Sequence, residues 1–67
     1  MSKLYRVSFY CDCEDINGTQ YTIDKDDIFY NYDSISEALE VFKAECENNN
    51  TVVGCGFDII DIETIPN

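Results

Sequence analysis

The 67-residue chain carries fourteen Asp and Glu against four Lys and Arg, with no His, which gives a formal charge of −10 at pH 7. Because phosphate groups are bound by clustered basic side chains, this balance argues against direct binding to nucleic acid and excludes an anionic membrane surface. The length predicts one domain, residues 1–67, and a hydrophobic content of 45% predicts a small folded core rather than disorder.

The start of the chain shows no export signal. Residues 1–6 lack the apolar segment of a signal peptide, and no apolar run approaches the length of a transmembrane helix. We therefore expect a cytoplasmic protein, in the host cytosol if a phage encodes it. In that compartment the four cysteines are expected to be reduced thiols.

The first predicted strand spans residues 4–14. Apolar and polar residues alternate along it, which is typical of a strand with one buried face. The dipeptide Asn17-Gly18 is a strong hairpin signal, and the β-forming run Thr19–Ile23 follows it. The first third of the chain therefore predicts a β-hairpin.

The register of this hairpin follows from burial. A two-residue turn would set Cys13 opposite Thr22 and would place Tyr21 and Ile23 on the acidic face of the sheet. An odd-length loop, such as Asn17–Thr19 with Cys13 opposite Ile23, restores one apolar face. We predict an odd loop or a bulge.

The middle of the chain has the weakest pattern. Lys25-Asp26-Asp27 favours a turn, and Ile28–Tyr32 then predicts a short third strand or an extended link.

The helix is predicted over residues 35–47. Ser34 and Glu37 have the spacing of a capping box, in which they occupy the N-cap and N3 positions. The run of Asn at 48–50 is expected to end the helix, because Asn tolerates the left-handed conformation. The apolar stripe of the helix consists of Ile35, Leu39, Phe42 and Cys46.

The last predicted strand spans residues 51–65. Its apolar residues fall on both faces, which is typical of a central strand, and Gly54, Gly56 or the pair Ile59-Ile60 favours a bulge that resets the facing. The fold class is therefore α+β: an antiparallel sheet of three to four strands with one amphipathic helix on one face, in the order ββ(β)αβ.

The four cysteines leave three interpretations open. Cys11 and Cys13 continue the apolar face of the first strand and Cys46 ends the helix stripe, so buried structural thiols are favoured. A zinc site using these three residues and Cys55 lacks the usual paired spacing of two to four residues. A disulfide is the third interpretation. We expect no cofactor and no metal.

Catalysis is not predicted. The chain has no His to activate a nucleophile, and the pairs Asp12/Glu14 and Asp58/Asp61 lack a cleft that would raise one pKa. The acidic runs at residues 12–15 and 24–27 do not match a calcium-binding loop.

The acids are best interpreted as a binding surface. Asp12 and Glu14 share one strand face about 6.7 Å apart, on the order of two phosphate steps along a DNA strand. Carboxylates spread over a rigid scaffold in this way can replace a phosphate backbone in a basic groove. The acids expected to contact a partner are Asp12, Glu14, Asp24, Asp26, Asp27, Glu37 and Glu40. An ordinary solvated surface is the alternative.

Three tyrosines are secondary candidates for contacts, because Tyr combines apolar area with a polar tip. Tyr10 shares the acidic face of the first strand, and Tyr30 and Tyr32 lie near Asp33.

In size, acidity and single-domain α+β character the whole chain looks like the small inhibitors of bacterial defence that phages and mobile elements encode, anti-CRISPR proteins among them. The resemblance carries no site residue. It implies a non-enzymatic inhibitor that binds a basic nucleic-acid-handling protein such as a nuclease, as a DNA mimic. The alternatives are a generic protein-interaction module or homodimer, and a zinc-stabilised module.

Overall fold

The computed structural model describes residues 2–66. Its elements are strand β1 (Ser2–Glu14), strand β2 (Gln20–Phe29), helix α1 (Asp33–Glu47) and strand β3 (Thr51–Ile65). The three strands form one antiparallel sheet in the order β2-β1-β3. The predicted α+β class with one helix is confirmed, and within residues 2–66 the sheet has three strands and no fourth.

The β1–β2 hairpin closes through the five-residue loop 15–19, so the predicted odd loop is confirmed. The predicted pairing of Cys13 with Ile23 is wrong, since Cys13 lies opposite Tyr21 and Ile23 lies opposite Cys11. The loop is two residues longer than the predicted loop Asn17–Thr19, so the register of β2 moves by two residues and each side chain stays on its predicted face of the sheet. Oδ1 of Asp15 accepts the backbone N–H of Asn17 at 2.9 Å and of Thr19 at 2.8 Å, which fixes the loop.

Strand β2 continues through the segment predicted as a turn. Lys25, Asp26 and Asp27 pair with Phe9, Ser8 and Val7 of β1, and the strand ends at Phe29. The predicted turn and the predicted separate third strand are therefore wrong. The pairing with β1 supplies backbone hydrogen bonds at these positions, and an edge strand leaves its charged side chains in solvent.

Helix α1 buries the predicted stripe: Ile35, Phe42 and Cys46 are buried, and Leu39 packs against the same core. The predicted capping box is wrong. Ser34 lies inside the first turn and no side chain caps at the N-cap Tyr32. Instead, Oδ1 of Asn31 accepts the N–H of Asp33 at 2.9 Å.

The C-terminal end of the helix is also capped differently from the prediction. Asn48 keeps a right-handed conformation with φ of −61°, so the left-handed Asn expected in residues 48–50 is wrong. Nδ2 of Asn50 donates to the carbonyl of Cys46 at 2.9 Å, and the Tyr21 hydroxyl donates to Oδ1 of Asn50. The end of the helix is therefore tied to the start of β2.

Strand β3 has the predicted bounds, and it lies at the edge of the sheet rather than at the centre. Two residues have no partner in β1: Ile60, where the pairing skips from Asp61 to Ile59, and Val53, where it skips from Gly54 to Val52. The predicted bulge at Ile59-Ile60 is confirmed, and a second bulge lies next to Gly54.

The core lies between the helix and one face of the sheet. Phe9 at its centre is 1% exposed and contacts the rings of Phe29, Phe42 and Phe57, with centroids 5.7 to 6.2 Å apart. Aromatic pairs in such edge and tilted geometries stabilise a core beyond the area they bury. Val7, Cys11, Cys13, Ile35 and Cys46 complete the fully buried set around Phe9.

Two of the cysteines are covalently paired. Cys11 and Cys55 lie directly opposite each other in β1 and β3, with Cα atoms 4.2 Å apart, and form a disulfide. The expectation of reduced thiols is wrong for this pair, while Cys13 and Cys46 are buried free thiols. The zinc interpretation fails as well, because it needs Cys11 and Cys55 as thiolates.

Candidate protein-binding face

The sheet face opposite the helix is uncovered. We call it the open face; it carries the even-numbered residues of β1 from Arg6 to Glu14, their partners on both neighbouring strands, and Glu63, whose carboxylate lies next to Arg6. It exists because one helix covers one face of a three-stranded sheet. Its residues therefore contact solvent or a partner.

Seven carboxylates share the open face. They are Asp12 and Glu14 on β1, Asp24 and Asp26 on β2, and Asp58, Asp61 and Glu63 on β3. Among residues 2–66 the only basic side chain on this face is Arg6, whose Nε lies 3.5 Å from Oε1 of Glu63. The face therefore carries six net negative charges.

The strand register fixes the spacing of these acids. Asp26 and Asp58 lie on either side of Ser8 in one row across the sheet, about 9.6 Å apart at two strand spacings. Asp24 lies opposite Tyr10 in the next row. Within β2, Asp24 and Asp26 are about 6.7 Å apart, the same repeat as Asp12 and Glu14 in β1. Regular strands thus hold the carboxylates in rows.

Two contacts fix side chains near the centre of the open face. The Tyr10 ring lies over Gly56, where an added Cβ would be 2.7 Å from Cζ of the ring. Oγ1 of Thr22 donates to Oδ1 of Asp12 at 2.9 Å across the β1–β2 pair. A flat aromatic ring thus lies beside an oriented carboxylate, and such a pair can accept Lys or Arg.

Five of the residues expected to contact a partner lie elsewhere. Asp27 faces the helix side of the sheet opposite Val7, and its Oδ1 accepts the N–H of Ile28 at 2.8 Å. The other four lie on the helix and on the link before it: Glu37, Glu40, Tyr30 and Tyr32 are all exposed.

Of these four, Tyr32 packs edge-on against Tyr5 at a centroid distance of 5.8 Å. Glu37 and Glu40 lie on the opposite broad side of the molecule from Asp12. One flat partner surface cannot touch both sets.

The β3 acids Asp58, Asp61 and Glu63 were not among the expected contacts. Asp58 and Asp61 are three residues apart, a spacing that puts strand side chains on opposite faces. The bulge at Ile60 absorbs one residue and returns Asp61 to the face of Asp58. The signal that could have found them is the Ile59-Ile60 pair, which already favoured a bulge.

One end of the open face is partly apolar. A groove of about 350 Å³ is lined by Arg6, Asp26, Ile28 and Ile60, together with Val7 and Asp27. Ile28 and Ile60 are 45% and 61% exposed. This end of the face can therefore take an apolar side chain from a partner that also pairs with the acids.

A second polar group lies where the helix ends. Burial raises the pKa of the Cys46 thiol, and the nearby Cys13 and Glu45 act in the same direction. Partial burial of the ring raises the pKa of Tyr21, as do Cys13 and Asp15. Both shifts favour the neutral forms, so this group has the character of a packed structural cluster rather than of a reactive thiol site.

Within residues 2–66 no three Cys, Asp or Glu side chains come close enough together to hold a metal ion. The one helix in this part of the chain is too short and too polar to cross a membrane. No protein-family model, curated protein or solved structure matches the chain. The functional argument therefore rests on the geometry of the open face.

Proposed function

We propose that the protein is a non-enzymatic acidic inhibitor that binds the basic surface of a nucleic-acid-handling protein, such as a nuclease of a bacterial defence system, as a mimic of DNA. The observation that carries the proposal is the open face, on which seven carboxylates lie in rows with one base that is already paired. Clustered carboxylates attract the Lys and Arg side chains with which such proteins hold phosphates.

The shape of the molecule supports the same proposal. The Cα atoms extend 52 × 17 × 12 Å, a flat rod whose length corresponds to about 15 base-pair steps at about 3.4 Å each. Glu37 and Glu40 extend the acidic surface to the other broad side. These two acids add to the long-range attraction, while the contact itself is assigned to the open face.

The open face also explains how the contact would be specific. Charge alone gives fast association and weak discrimination between basic proteins. The Tyr10 ring and the groove at Ile28 and Ile60 add apolar contacts at fixed distances from the acids. We therefore assign the acids to attraction and these two apolar features to the choice of partner.

The test is affinity capture from nuclease-treated bacterial lysate, followed by binding measurements on each partner recovered. Binding should fall steeply between low and moderate salt, and duplex DNA should compete with it. The double variant Asp12→Lys/Glu14→Lys should weaken binding by about tenfold or more, because it reverses two charges on the open face.

The matched control is Glu37→Lys/Glu40→Lys, which changes the net charge equally on the opposite side. Equal losses from both double variants would assign the effect to net charge and remove the open face from the proposal. Partners indifferent to salt and DNA would overturn the inhibitor function and would favour a generic protein-interaction module.

A further inference from the structure

The outer edge of β3 is one of the two open edges of the sheet. β3 is fifteen residues long and has β1 as its one neighbour, so among the described residues its other edge faces solvent. A strand edge presents a row of N–H and C=O groups ready to pair with another strand, and natural proteins guard such edges with charges.

The two edges of the sheet differ in this protection. β2 carries four charged residues in succession, Asp24 to Asp27. The first half of β3, residues 51–57, carries none. In a chain with charge −10 this uncharged edge is where two copies can approach with the least repulsion.

The pattern of β3 also fits a strand with two neighbours. Its apolar residues lie on both faces, and Val53, Ile60 and Ile62 are 59%, 61% and 51% exposed at the edge. A partner strand would cover part of this surface and would make β3 internal, as its composition favours.

We infer that β3 pairs with β3 of a second copy across a twofold axis at Gly56, which joins the two sheets into one of six strands. The stretch between the bulges at Val53 and Ile60 is regular enough to pair. Opposed residues of antiparallel strands must point to the same side, and this register satisfies the rule: Gly54 and Asp58 are both on the open face, and Cys55 and Phe57 are both on the helix side.

Charge selects a second copy as the occupant. In this register Asp58 of each copy lies opposite an uncharged glycine, and the two Asp58 residues are about 13 Å apart, four residues along the strand. That distance exceeds the Debye length of about 10 Å at 0.1 M salt. A basic strand would gain little here, since the stretch between the two bulges offers it one carboxylate, Asp58, and residues 51–57 offer none.

Sedimentation velocity of the unmodified protein tests the inference. We expect a mass twice the 7.7 kDa of one chain at high concentration, with tighter association as salt rises, because salt screens the repulsion between like-charged copies. This direction is opposite to that expected for a basic partner. The dimer and the inhibitor function can thus fail independently.

The variant Gly54→Glu sharpens the test. A side chain at Gly54 meets no atom within 4 Å in the monomer, whereas across the axis it would face Asp58 of the other copy. We expect dimerisation to weaken by about tenfold, since like charges directly opposite destabilise a strand pair. Gly54→Lys should not weaken it. Val41→Glu, at a helix residue that is 58% exposed, is the control with the same net charge as Gly54→Glu.

A measurement on the unmodified protein covers the case in which a variant fails to fold. Successive strand residues direct their N–H groups alternately to the two sides of the strand, so amide exchange should slow with rising protein concentration at those of Cys55, Gly56 and Phe57 whose N–H points away from β1. The inference would be overturned if the protein is a monomer at every salt concentration up to about 1 mM protein. It would also be overturned if Gly54→Glu leaves the dimer intact, or if amide exchange at these residues does not change with protein concentration.

Discussion

At Gly56 the absence of a side chain makes room for the Tyr10 ring, because a Cβ there would lie 2.7 Å from Cζ of the ring. Gly54, two residues earlier on the same strand and the same face, has no atom within 4 Å of its Cβ position. Neither glycine has a positive φ. The two positions therefore differ in their neighbours and not in their backbone requirement.

We expect Gly54→Ala to raise the free energy of unfolding by about 0.4 to 1 kcal/mol, because Ala restricts the unfolded chain. Gly56→Ala has the same advantage but displaces the Tyr10 ring, so it should fall below Gly54→Ala by about 1 kcal/mol or more. Urea unfolding gives both values, and the NMR shifts of Tyr10 should change in Gly56→Ala alone. Equal stabilisation by both variants, with Tyr10 unmoved, would contradict this account of the open face.

The buried thiol of Cys46 makes stability depend on pH. Burial raises its pKa above the ordinary value of 9.0, with Cys13 and Glu45 acting in the same direction. As the pH rises past 9.0, the unfolded chain loses this proton before the folded chain does, so the folded state loses stability until its own pKa is passed. Well below pH 9.0 the contribution of the thiol is fully present and constant.

We expect the free energy of unfolding of the wild-type protein to decline as the pH rises past 9.0, and that of Cys46→Ala to decline less steeply from a lower starting value. Urea unfolding at a series of pH values measures both slopes. Tyr21→Phe is the companion variant, because the pKa of Tyr21 is raised from 10.0 and acts in the same direction at higher pH. A decline as steep in Cys46→Ala as in the wild type would assign it to other groups.

At the scale of the elements, the sequence pattern predicts what local periodicity controls. The alternation in β1, the stripe from Ile35 to Cys46 and the β-branched run of β3 are short-range patterns, and these three elements have close to their predicted bounds. The extension of β2 through residues 24–27 depends on pairing with β1, which no local pattern encodes. The edge position of β3 likewise depends on topology.

The open face divides in the same way. Tyr10, Asp12 and Glu14 share a face by the parity of one strand, which the sequence alone predicts. Asp24 and Asp26 join them only because the loop at 15–19 is odd, and the β3 acids join them only because of a bulge. Loop length and bulge position are cooperative outcomes of packing, so sequence reasoning predicts them weakly.

The start of helix α1 provides a direct test of one corrected prediction. Oδ1 of Asn31 accepts the N–H of Asp33, whereas Ser34 lies inside the first turn and caps nothing. Asn31→Ala should lower the free energy of unfolding by about 1 kcal/mol, as is typical for the loss of a side-chain cap. Ser34→Ala should change it by less than about 0.5 kcal/mol. Urea unfolding of both variants measures the difference, and a larger loss in Ser34→Ala would restore the capping box.

The disulfide between β1 and β3 acts on the whole sheet. It links residues 44 positions apart, and the loss of chain entropy in the unfolded state corresponds to about 4 kcal/mol of stabilisation in the loop-closure model. A chain of this length has a total stability of only about 3 to 10 kcal/mol. Reduction should therefore lower the urea midpoint strongly or unfold the protein.

The control for reduction is a Cys11→Ala/Cys55→Ala variant, whose stability should be low with and without reductant. Sensitivity to reductant that persists in this variant would point to another disulfide. Full stability of the reduced wild-type protein would show that packing around Phe9 is sufficient.

At the scale of the whole molecule, the acids that define the open face oppose the fold. A charge of −10 on 67 residues is concentrated on a rod 12 Å thick, so carboxylates on both broad sides repel one another across little protein. Residues retained for binding commonly reduce stability, and their replacement commonly restores it. If the acids serve binding, their removal should raise the stability of the fold and weaken the binding of the partner.

Asp26 and Asp58 offer this separation, because they flank Ser8 at about 9.6 Å, within the Debye length at low salt. Asp26→Asn/Asp58→Asn should raise the free energy of unfolding at low salt, by about 0.5 to 1 kcal/mol, and the gain should disappear near 1 M salt. Unfolding at micromolar protein keeps dimerisation from contributing. The control Glu37→Gln/Glu40→Gln removes two charges from the helix side. A gain in the free energy of unfolding that persists at high salt would show that the acids destabilise the fold by some means other than repulsion. A gain that is confined to low salt, together with weaker binding of the captured partner, would mean that the charge is kept for function.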